Sequence, residues 1–211
     1  MKGGLCMPRD KTEAHEKIIA AAVHEFMEYG FENASMRRIA SEVGLTVGAL
    51  YRHFPNKEEM FAALVEPTIH DLMEKYQAFC ERGYEVMKCG DVNKLWDSSE
   101  SETKWLMSFI YDHFETFKLL ICRSQGTRFE HFVHDIALLE ERSTLEYFER
   151  MKQYSMNVNE VSQQEFHVLV TANVSALFEA VIHDFTREEA MHYAETLEAF
   201  FSAGWKKILG I

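Results

Sequence analysis

Proline, cysteine and long uninterrupted apolar runs are all scarce in this sequence. Its 211 residues include three prolines and ten glycines, a content that argues against a disordered or repetitive chain. The cysteines contain no CxxC pair and are scattered at Cys6, Cys80, Cys89 and Cys122. This pattern favours free thiols over a disulfide framework or a metal site.

No targeting or membrane-spanning segment is indicated. Residues 1–17 contain no apolar stretch of signal-peptide length. The most apolar later stretch, 166–182, is interrupted by polar residues such as His167 and Glu179, which argues against a membrane span. We therefore expect a cytoplasmic protein without a membrane partner.

Positive charge is also in short supply, and it is unevenly distributed. The formal net charge is −12. Residues 1–60 carry 8 Lys and Arg against 9 Asp and Glu, whereas residues 61–211 carry 14 against 25. Charges farther apart than about 8–10 Å are largely screened at physiological salt. The acidic remainder therefore does not exclude a local surface near the N-terminus that binds nucleic acid.

Helical periodicity extends through nearly the whole chain, and no convincing strand pattern is present. Gly30 suits the left-handed end of a first helix, and Ser35 and Thr46 are typical N-caps. Ser162 with Glu165, and Thr186 with Glu189, have capping-box spacing. The sequence therefore predicts an all-α fold of about nine helices, near 11–29, 36–43, 46–53, from 56 onward, 91–112, 114–123, 127–154, 162–183 and 187–208.

Two prolines mark structural boundaries. Pro55 ends the third helix, because the residue before a proline avoids the α region. It separates an N-terminal three-helix domain at 1–55 from a larger helical domain at 56–211. Pro67 removes a backbone hydrogen bond to Ala63, so we expect the fourth helix to kink or split there.

Residues 36–53 have the spacing of a helix-turn-helix. Ala40 is small where two helices must approach, Gly44 suits a turn that needs a positive φ, and Leu50 is in register with the apolar side of the following helix. The second helix of such a motif can lie in the major groove of DNA. A helical hairpin that binds nothing would have the same spacing.

Polar and basic side chains around this motif suit DNA binding. The candidate phosphate contacts are Ser35, Arg37, Arg38, Thr46, Tyr51, Arg52, His53 and Lys57. The candidate base contacts are Val47, Gly48 and Ala49, through close approach and apolar contact with thymine methyl groups, and Arg37 at guanine edges.

The stretch SMRRIASEVGLTVGALYRHFPNKEEMF resembles the DNA-binding signature of the TetR (tetracycline-repressor-like) transcriptional regulators. The resemblance covers about residues 12–62 and implies that Thr46, Tyr51, His53 and Lys57 contact phosphates. Val47 is a departure, since this position often carries a polar or basic residue in that family. The departure leaves apolar contact as the expected role of Val47.

The resemblance also implies a homodimer that reads a roughly palindromic DNA operator, most simply as a repressor. The apolar residues of the last two helices cover more than one helix face, as expected of helices buried on several sides. An ordinary internal core would show the same pattern. The expected dimer contacts are Phe166, Val170, Val174, Leu177, Val181, Phe200, Phe201 and Trp205.

Regulators of this kind usually hold a small apolar or amphipathic effector in the second domain. Aromatic side chains with a few polar groups are generic pocket linings, and most of those present here would equally fit a core. The candidate lining residues are Trp105, Phe109, His113, Phe117, Phe132, Tyr147 and Phe178. The effector itself, the operator and the regulated genes are not specified by the sequence.

We expect no catalytic residues, no cofactor and no metal. His131 and His134 share one helix face, but a third strong ligand is not evident nearby. No nucleophile, base and orienting group occur together. The alternatives to a ligand-released repressor are an activator or ligand-independent regulator, and a helical adaptor that binds proteins.

Overall fold

The computed structural model describes residues 11–88, 101–153 and 159–210. Within these ranges the chain forms nine α-helices and no strand, in agreement with the predicted all-α class. The helices are α1 (Lys11–Asn33), α2 (Met36–Glu42), α3 (Val47–His53), α4 (Lys57–Lys88), α5 (Glu102–Asp112), α6 (Phe114–Cys122), α7 (Phe132–Gln153), α8 (Gln163–Ile182) and α9 (Arg187–Leu209).

The first three helices pack as the apolar periodicity predicts. Ile18, Phe26 and Ile39 are completely buried, as is Leu50 on α3. Gly30 has φ 69° and ψ 167°, outside the helical region. The regular part of α1 therefore ends at the predicted glycine, and residues 31–33 form a separate last turn.

Four predicted helix starts are confirmed by their side-chain hydrogen bonds, whereas the predicted cap Ser35 makes no such bond at the start of α2. The Thr46 hydroxyl accepts a bond of 3.2 Å from the Ala49 N–H, and Asn56 Oδ1 accepts one of 2.8 Å from the Glu59 N–H. Ser162 caps α8. Thr186 and Glu189 form a complete capping box at the start of α9. These caps satisfy N–H groups that have no partner inside the helix.

Two predicted boundaries differ from the structure. The fourth helix is not split at Pro67, since α4 continues through it to Lys88. Ala63 and Pro67 are both exposed, so the side of the helix that loses a backbone bond faces solvent. The helix predicted from residue 127 begins only at Phe132, because residues 124–127 form a turn closed by the Thr127 hydroxyl on the Ser124 carbonyl, at 2.6 Å.

The expected 91–112 helix is only partly described. Its residues 91–100 lie outside the described ranges, and α5 begins at Glu102 behind a Ser101 cap. Cys6 and Cys89 also lie outside them, whereas Cys80 and Cys122 are free thiols, as expected.

Helix α8 is the centre of the second domain, where it packs against α6, α7 and α9. The Phe178 ring of α8 lies 6.3 Å from Phe117 and 6.0 Å from Phe132. By length and composition, α8 is the one described helix that could cross a membrane. Buried core helices have the same composition, and the inward face of α8 is occupied by these ring contacts.

Candidate nucleic-acid interface and effector cavity

The turn between α2 and α3 fixes the orientation of α3. The Leu45 N–H donates to the Ala40 carbonyl at 2.8 Å, and Gly44 has a φ of 68°. Ala40 and Leu50 are buried beneath this turn. The outer face of α3 is thereby held away from the core and open to solvent.

That outer face carries several of the predicted DNA contacts. Tyr51 is 46% exposed, and Gly48, Arg52 and His53 are exposed beside it. Arg37 is exposed on the neighbouring α2. In the described part of the chain these side chains have no hydrogen bond or ion pair, so they are available to a partner.

Three other predicted contacts are less open. Val47 and Ala49 are half-buried, and Val47 packs against the core. Ser35 is half-buried, makes no side-chain cap bond, and donates its N–H to Glu25 at 2.6 Å. Thr46 is exposed at the start of α3.

Arg38 is tied to a buried carboxylate. Glu25 is only 3% exposed and accepts from Arg38 Nε at 2.8 Å and 3.0 Å. Arg38 also donates to the Asn33 carbonyl at 2.9 Å and lies over the Tyr29 ring. The structure therefore uses Arg38 to fix the corner between α1 and α2, a role that the sequence reasoning missed.

Lys57 has a similar internal role. Its ammonium donates to the carbonyls of Phe31, Glu32 and Ala34 at 2.6, 3.0 and 3.2 Å. Burial lowers its pKa from the usual value. All three N–H donors of the ammonium are occupied, so Lys57 anchors the start of α4 to the end of α1.

The second domain meets the first through the docking turn, residues 123–131 between α6 and α7. The Phe31 N–H donates to the Arg123 carbonyl at 3.0 Å. A Cβ atom at Gly126 would lie 3.1 Å from Glu32 Cγ. The Phe129 ring lies 6.1 Å from Phe61 of α4. The end of α1 therefore touches the second domain directly, and not only through α4.

Arg128 completes this contact on the α4 side. Its N–H donates to Glu58 at 3.0 Å, and its guanidinium donates to Glu59 at 3.0 Å and to Glu66 at 2.6 Å. One residue thus joins the docking turn to two places on α4 that are about two helical turns apart.

A cavity of about 90 Å³ lies between α4, α5, α7 and α8. Most of its wall is apolar, and the polar residues that line it are Tyr76, Glu102, Thr103, Glu140 and Asn173.

Of the seven candidate pocket residues, Phe178 lines this cavity and the other six lie elsewhere. Phe109, Phe117 and Phe132 are buried in the core. Trp105 stacks between Phe79 and Phe109, His113 packs on Phe109, and Tyr147 packs on Tyr84. The aromatic content alone could not separate core positions from cavity positions.

The polar end of the cavity contains two glutamates that the sequence analysis did not single out. The Tyr76 hydroxyl donates to Glu140 Oε2 at 2.5 Å, and the Thr144 hydroxyl donates to Oε1 at 3.2 Å. Glu102 forms no hydrogen bond or ion pair with any described residue. Burial raises the pKa of both carboxyls, and the Glu140 charge raises that of Glu102 further. Glu140 follows the apolar run Ala137–Leu139, a position that could have indicated burial.

The residues expected at a dimer interface fall into two groups. Five of them, on α8, are buried within the single chain: Phe166, Val170, Val174, Leu177 and Val181. On α9, Phe200 is 73% exposed, while Phe201 and Trp205 are half-buried. Val168 of α8 is also exposed, at 63%, and α8 packs against α9. An apolar surface therefore remains on this helix pair.

No group of three or more His, Cys, Asp or Glu side chains in the described ranges could hold a metal ion. His134 faces the His167 ring at 6.3 Å, and His167 bonds to the buried Glu141 at 2.7 Å. His131 is beside Glu130.

Comparisons with known proteins agree with the helix-turn-helix geometry. Residues 18–64 match the family described as bacterial regulatory proteins, tetR family. An HTH-type transcriptional regulator of Staphylococcus aureus strain bovine RF122 is 34% identical over 85 residues, which are 39% of this chain and 46% of that protein. One from strain USA300 is 33% identical over 85 residues with the same coverage. The chain thus spans about half the length of these curated relatives.

Solved structures extend the likeness of fold along the chain. The TetR family regulator PfmR of Thermus thermophilus has a TM-score of 0.55 at 21% identity, covering 86% of this chain and 97% of that one. A TetR-like regulator of Rhodococcus sp. RHA1 has 0.51 at 19%, covering 94% and 99%. NalD, the secondary repressor of the MexAB-OprM multidrug efflux pump in Pseudomonas aeruginosa, has 0.50 at 18%, covering 90% and 96%. Residues 18–64 thus match the tetR family of bacterial regulatory proteins over the helix-turn-helix, and the chain as a whole shares its all-α fold with solved TetR-family regulators.

Proposed function

We propose that the protein is a homodimeric, cytoplasmic repressor that binds a palindromic DNA operator through α3 and is released by a small-molecule effector in its second domain. The observation that carries the proposal is the outer face of α3. The Tyr51, Arg52 and His53 side chains on this face form no hydrogen bond or ion pair with any residue that the structure describes, while the helix itself is fixed by the turn at Gly44.

The geometry supports different roles for the predicted DNA contacts: some would bind the DNA, and others would position the binding surface. Thr46, Tyr51, Arg52 and His53 would bind phosphates on one side of α3, with Arg37 reaching the groove from α2. Gly48 would permit close approach of the helix backbone to base edges. Arg38 and Lys57 would position this surface through Glu25 and the α1 carbonyls, because their donors are already engaged.

The exposed apolar surface of α8 and α9 supports the homodimer. Phe200 and Val168 expose large apolar side chains. A two-fold contact through this surface would bury these side chains in both subunits. The two α3 helices of such a dimer would have to lie about 34–36 Å apart to enter successive major grooves.

The cavity supports effector control. At about 90 Å³ it is smaller than the ~300–1,000 Å³ of typical ligand pockets, so an effector must push its walls apart. Leu72, Met73 and Tyr76 belong to α4, which Arg128 joins to the docking turn and Lys57 joins to the end of α1. Movement of α4 or of the docking turn would change the position of α3. An effector can act only through its different affinities for the two arrangements.

The test is fluorescence anisotropy of the full chain on labelled DNA from upstream of its own gene, and on a randomised operator pool, at two salt concentrations. Replacing Arg52 with Ala should weaken binding and flatten the slope of log K against log salt by about 1.8, the value for one phosphate contact in each subunit of the dimer. Tyr51→Ala should weaken binding without a comparable change in slope.

Arg142→Ala on α7 is the matched control, since this exposed arginine bonds only to the Leu138 carbonyl of its own helix. Equal binding by all three variants and the parent would exclude α3 as the DNA contact. No binding of the parent to either DNA would favour the adaptor alternative. An activator or ligand-independent regulator would keep the DNA contacts but show no effector-dependent release.

A further inference from the structure

Two carboxyl groups line the cavity in the second domain, and no cationic side chain is found among its described lining residues. Glu102 and Glu140 contribute carboxyl groups from α5 and α7, and Tyr76 contributes a hydroxyl from α4. Within the part of the chain that the structure describes, the lining includes no Lys, Arg or His. Neither glutamate forms an ion pair with a described residue.

The two carboxyl groups differ in the hydrogen bonds that they accept. Glu140 accepts one hydroxyl bond on each oxygen, from Tyr76 and Thr144. Glu102 is half-buried, lines the cavity and has no hydrogen-bond partner in the described chain. Ionisation of Glu102 is disfavoured in this environment, and a cation beside it would favour the ionised form.

The rest of the wall is suited to an apolar body. Leu72, Leu106, Ile136, Leu177 and Phe178 surround the space beside the carboxyl groups. A neutral apolar ligand would leave Glu102 without a partner. An anionic ligand would add like charge to the same low-dielectric site.

We propose that the effector is an organic cation with an apolar body, such as an amine or quaternary ammonium compound, whose charged group lies between Glu102 and Glu140. This inference rests on the proposed effector role of the second domain. The ring of Tyr76 or Phe178 lies in the same wall and can add a cation–π contact. Entry of the apolar body would enlarge the cavity and press on α4.

Two isosteric probes separate charge from shape. Benzyltrimethylammonium and neopentylbenzene have the same shape, and only the first is charged. Decanoate is the third probe and carries a negative charge. Titration calorimetry with the full chain should show the cation binding about tenfold or more tighter than its neutral isostere, and no binding of decanoate in this cavity.

Variants locate the site. Glu102→Gln and Glu140→Gln keep the side-chain shape, and each should weaken binding of the cation about tenfold while leaving the neutral probe unaffected or slightly better bound. Glu146→Gln is the matched control, because Glu146 is exposed on the same helix as Glu140. Circular dichroism confirms that each variant is folded.

Several outcomes would overturn the inference. They are no binding of benzyltrimethylammonium at millimolar concentration, equal binding of the neutral isostere, tighter binding of decanoate, or cation binding that both Gln variants retain.

The proposed effector role is tested by a separate measurement, which is the fluorescence anisotropy of labelled operator DNA in the presence of each compound. Charge-dependent binding that leaves DNA affinity unchanged would support the cation site and refute the effector role. Release of DNA by a neutral compound that binds both Gln variants would support the effector role and refute the cation class.

Discussion

The two glycines of the helix-turn-helix offer a test that separates folding from DNA binding. Gly44 has a φ of 68°, whereas Gly48 has no positive φ and lies in the first turn of α3. A Cβ atom at either position would meet nothing within 4 Å. Alanine at Gly44 therefore changes only the backbone preference, and alanine at Gly48 changes the helix propensity and the outer surface.

The expected stability changes have opposite signs. Gly44→Ala places an L side chain in the left-handed region, which costs about 1–2 kcal/mol. Gly48→Ala should stabilise the fold by roughly 0.5 kcal/mol, since alanine favours a helix over glycine. For a chain of this size, ~1 kcal/mol corresponds to about 2–4 °C in Tm. The Gly44 variant should therefore melt several degrees lower, and the Gly48 variant at the same temperature or slightly higher.

The changes in operator affinity should not parallel the changes in thermal stability. If the backbone at Gly48 lies against base edges, an added methyl group prevents that approach. We expect at least a tenfold weaker operator affinity, about 1.4 kcal/mol, from the more stable variant. At a temperature where both are folded, Gly44→Ala should lose less affinity than Gly48→Ala.

The assays are thermal unfolding by circular dichroism and anisotropy on operator DNA. Gly204→Ala is the control, because this exposed glycine lies in the interior of α9 and a Cβ atom there also meets nothing. It should raise Tm without changing DNA affinity. Parental DNA affinity in Gly48→Ala would refute the close approach of α3, and a Gly44→Ala variant as stable as the parent would refute the turn argument.

Four further predictions concern the core, the domain contact, the dimer and the cavity. Leu50→Ala should lower the free energy of unfolding by about 2–5 kcal/mol, measured by urea denaturation, because Leu50 is fully buried. Arg128→Ala should reduce the effector's influence on DNA affinity more than it reduces DNA affinity itself, since it frees the docking turn from α4. Phe200→Asp should yield a folded monomer in analytical ultracentrifugation, since charge on the exposed apolar surface opposes pairing. Burial raises the pKa of Glu102 in the fold, so this carboxyl favours folding below its unfolded pKa of about 4.3 and disfavours it as pH rises. Glu102→Gln should therefore raise Tm near neutral pH and leave it unchanged near about pH 4.

Controls come from exposed neighbours of similar chemistry. Leu145→Ala, at an exposed position on α7, should cost far less than Leu50→Ala. Unchanged effector coupling in Arg128→Ala would show that the docking turn does not transmit the signal, and a dimeric Phe200→Asp would move the interface elsewhere. Equal Tm differences for Glu102→Gln at both pH values would contradict the burial of its carboxyl.

The sequence by itself determined the features that depend on neighbours within a few positions. Helix periods, the left-handed stop at Gly30, the caps at Thr46 and Thr186 and the turn at Gly44 arise from local backbone preferences, and all are present in the structure. The helix-turn-helix could be predicted for the same reason. The domain boundary near residue 55, the DNA contacts and the dimer contacts stay predictions.

Only the tertiary structure decided which polar groups meet across the chain. Arg38 is paired with Glu25, and Lys57 donates to carbonyls at the end of α1. Arg128 binds carboxylates of α4. Aromatic residues could not be assigned to core or cavity from the sequence, because both environments select the same side chains. Glu102 and Glu140 were overlooked because an isolated glutamate usually lies at a solvated surface. Their burial results from the packing of α4, α5, α7 and α8, which no local pattern specifies.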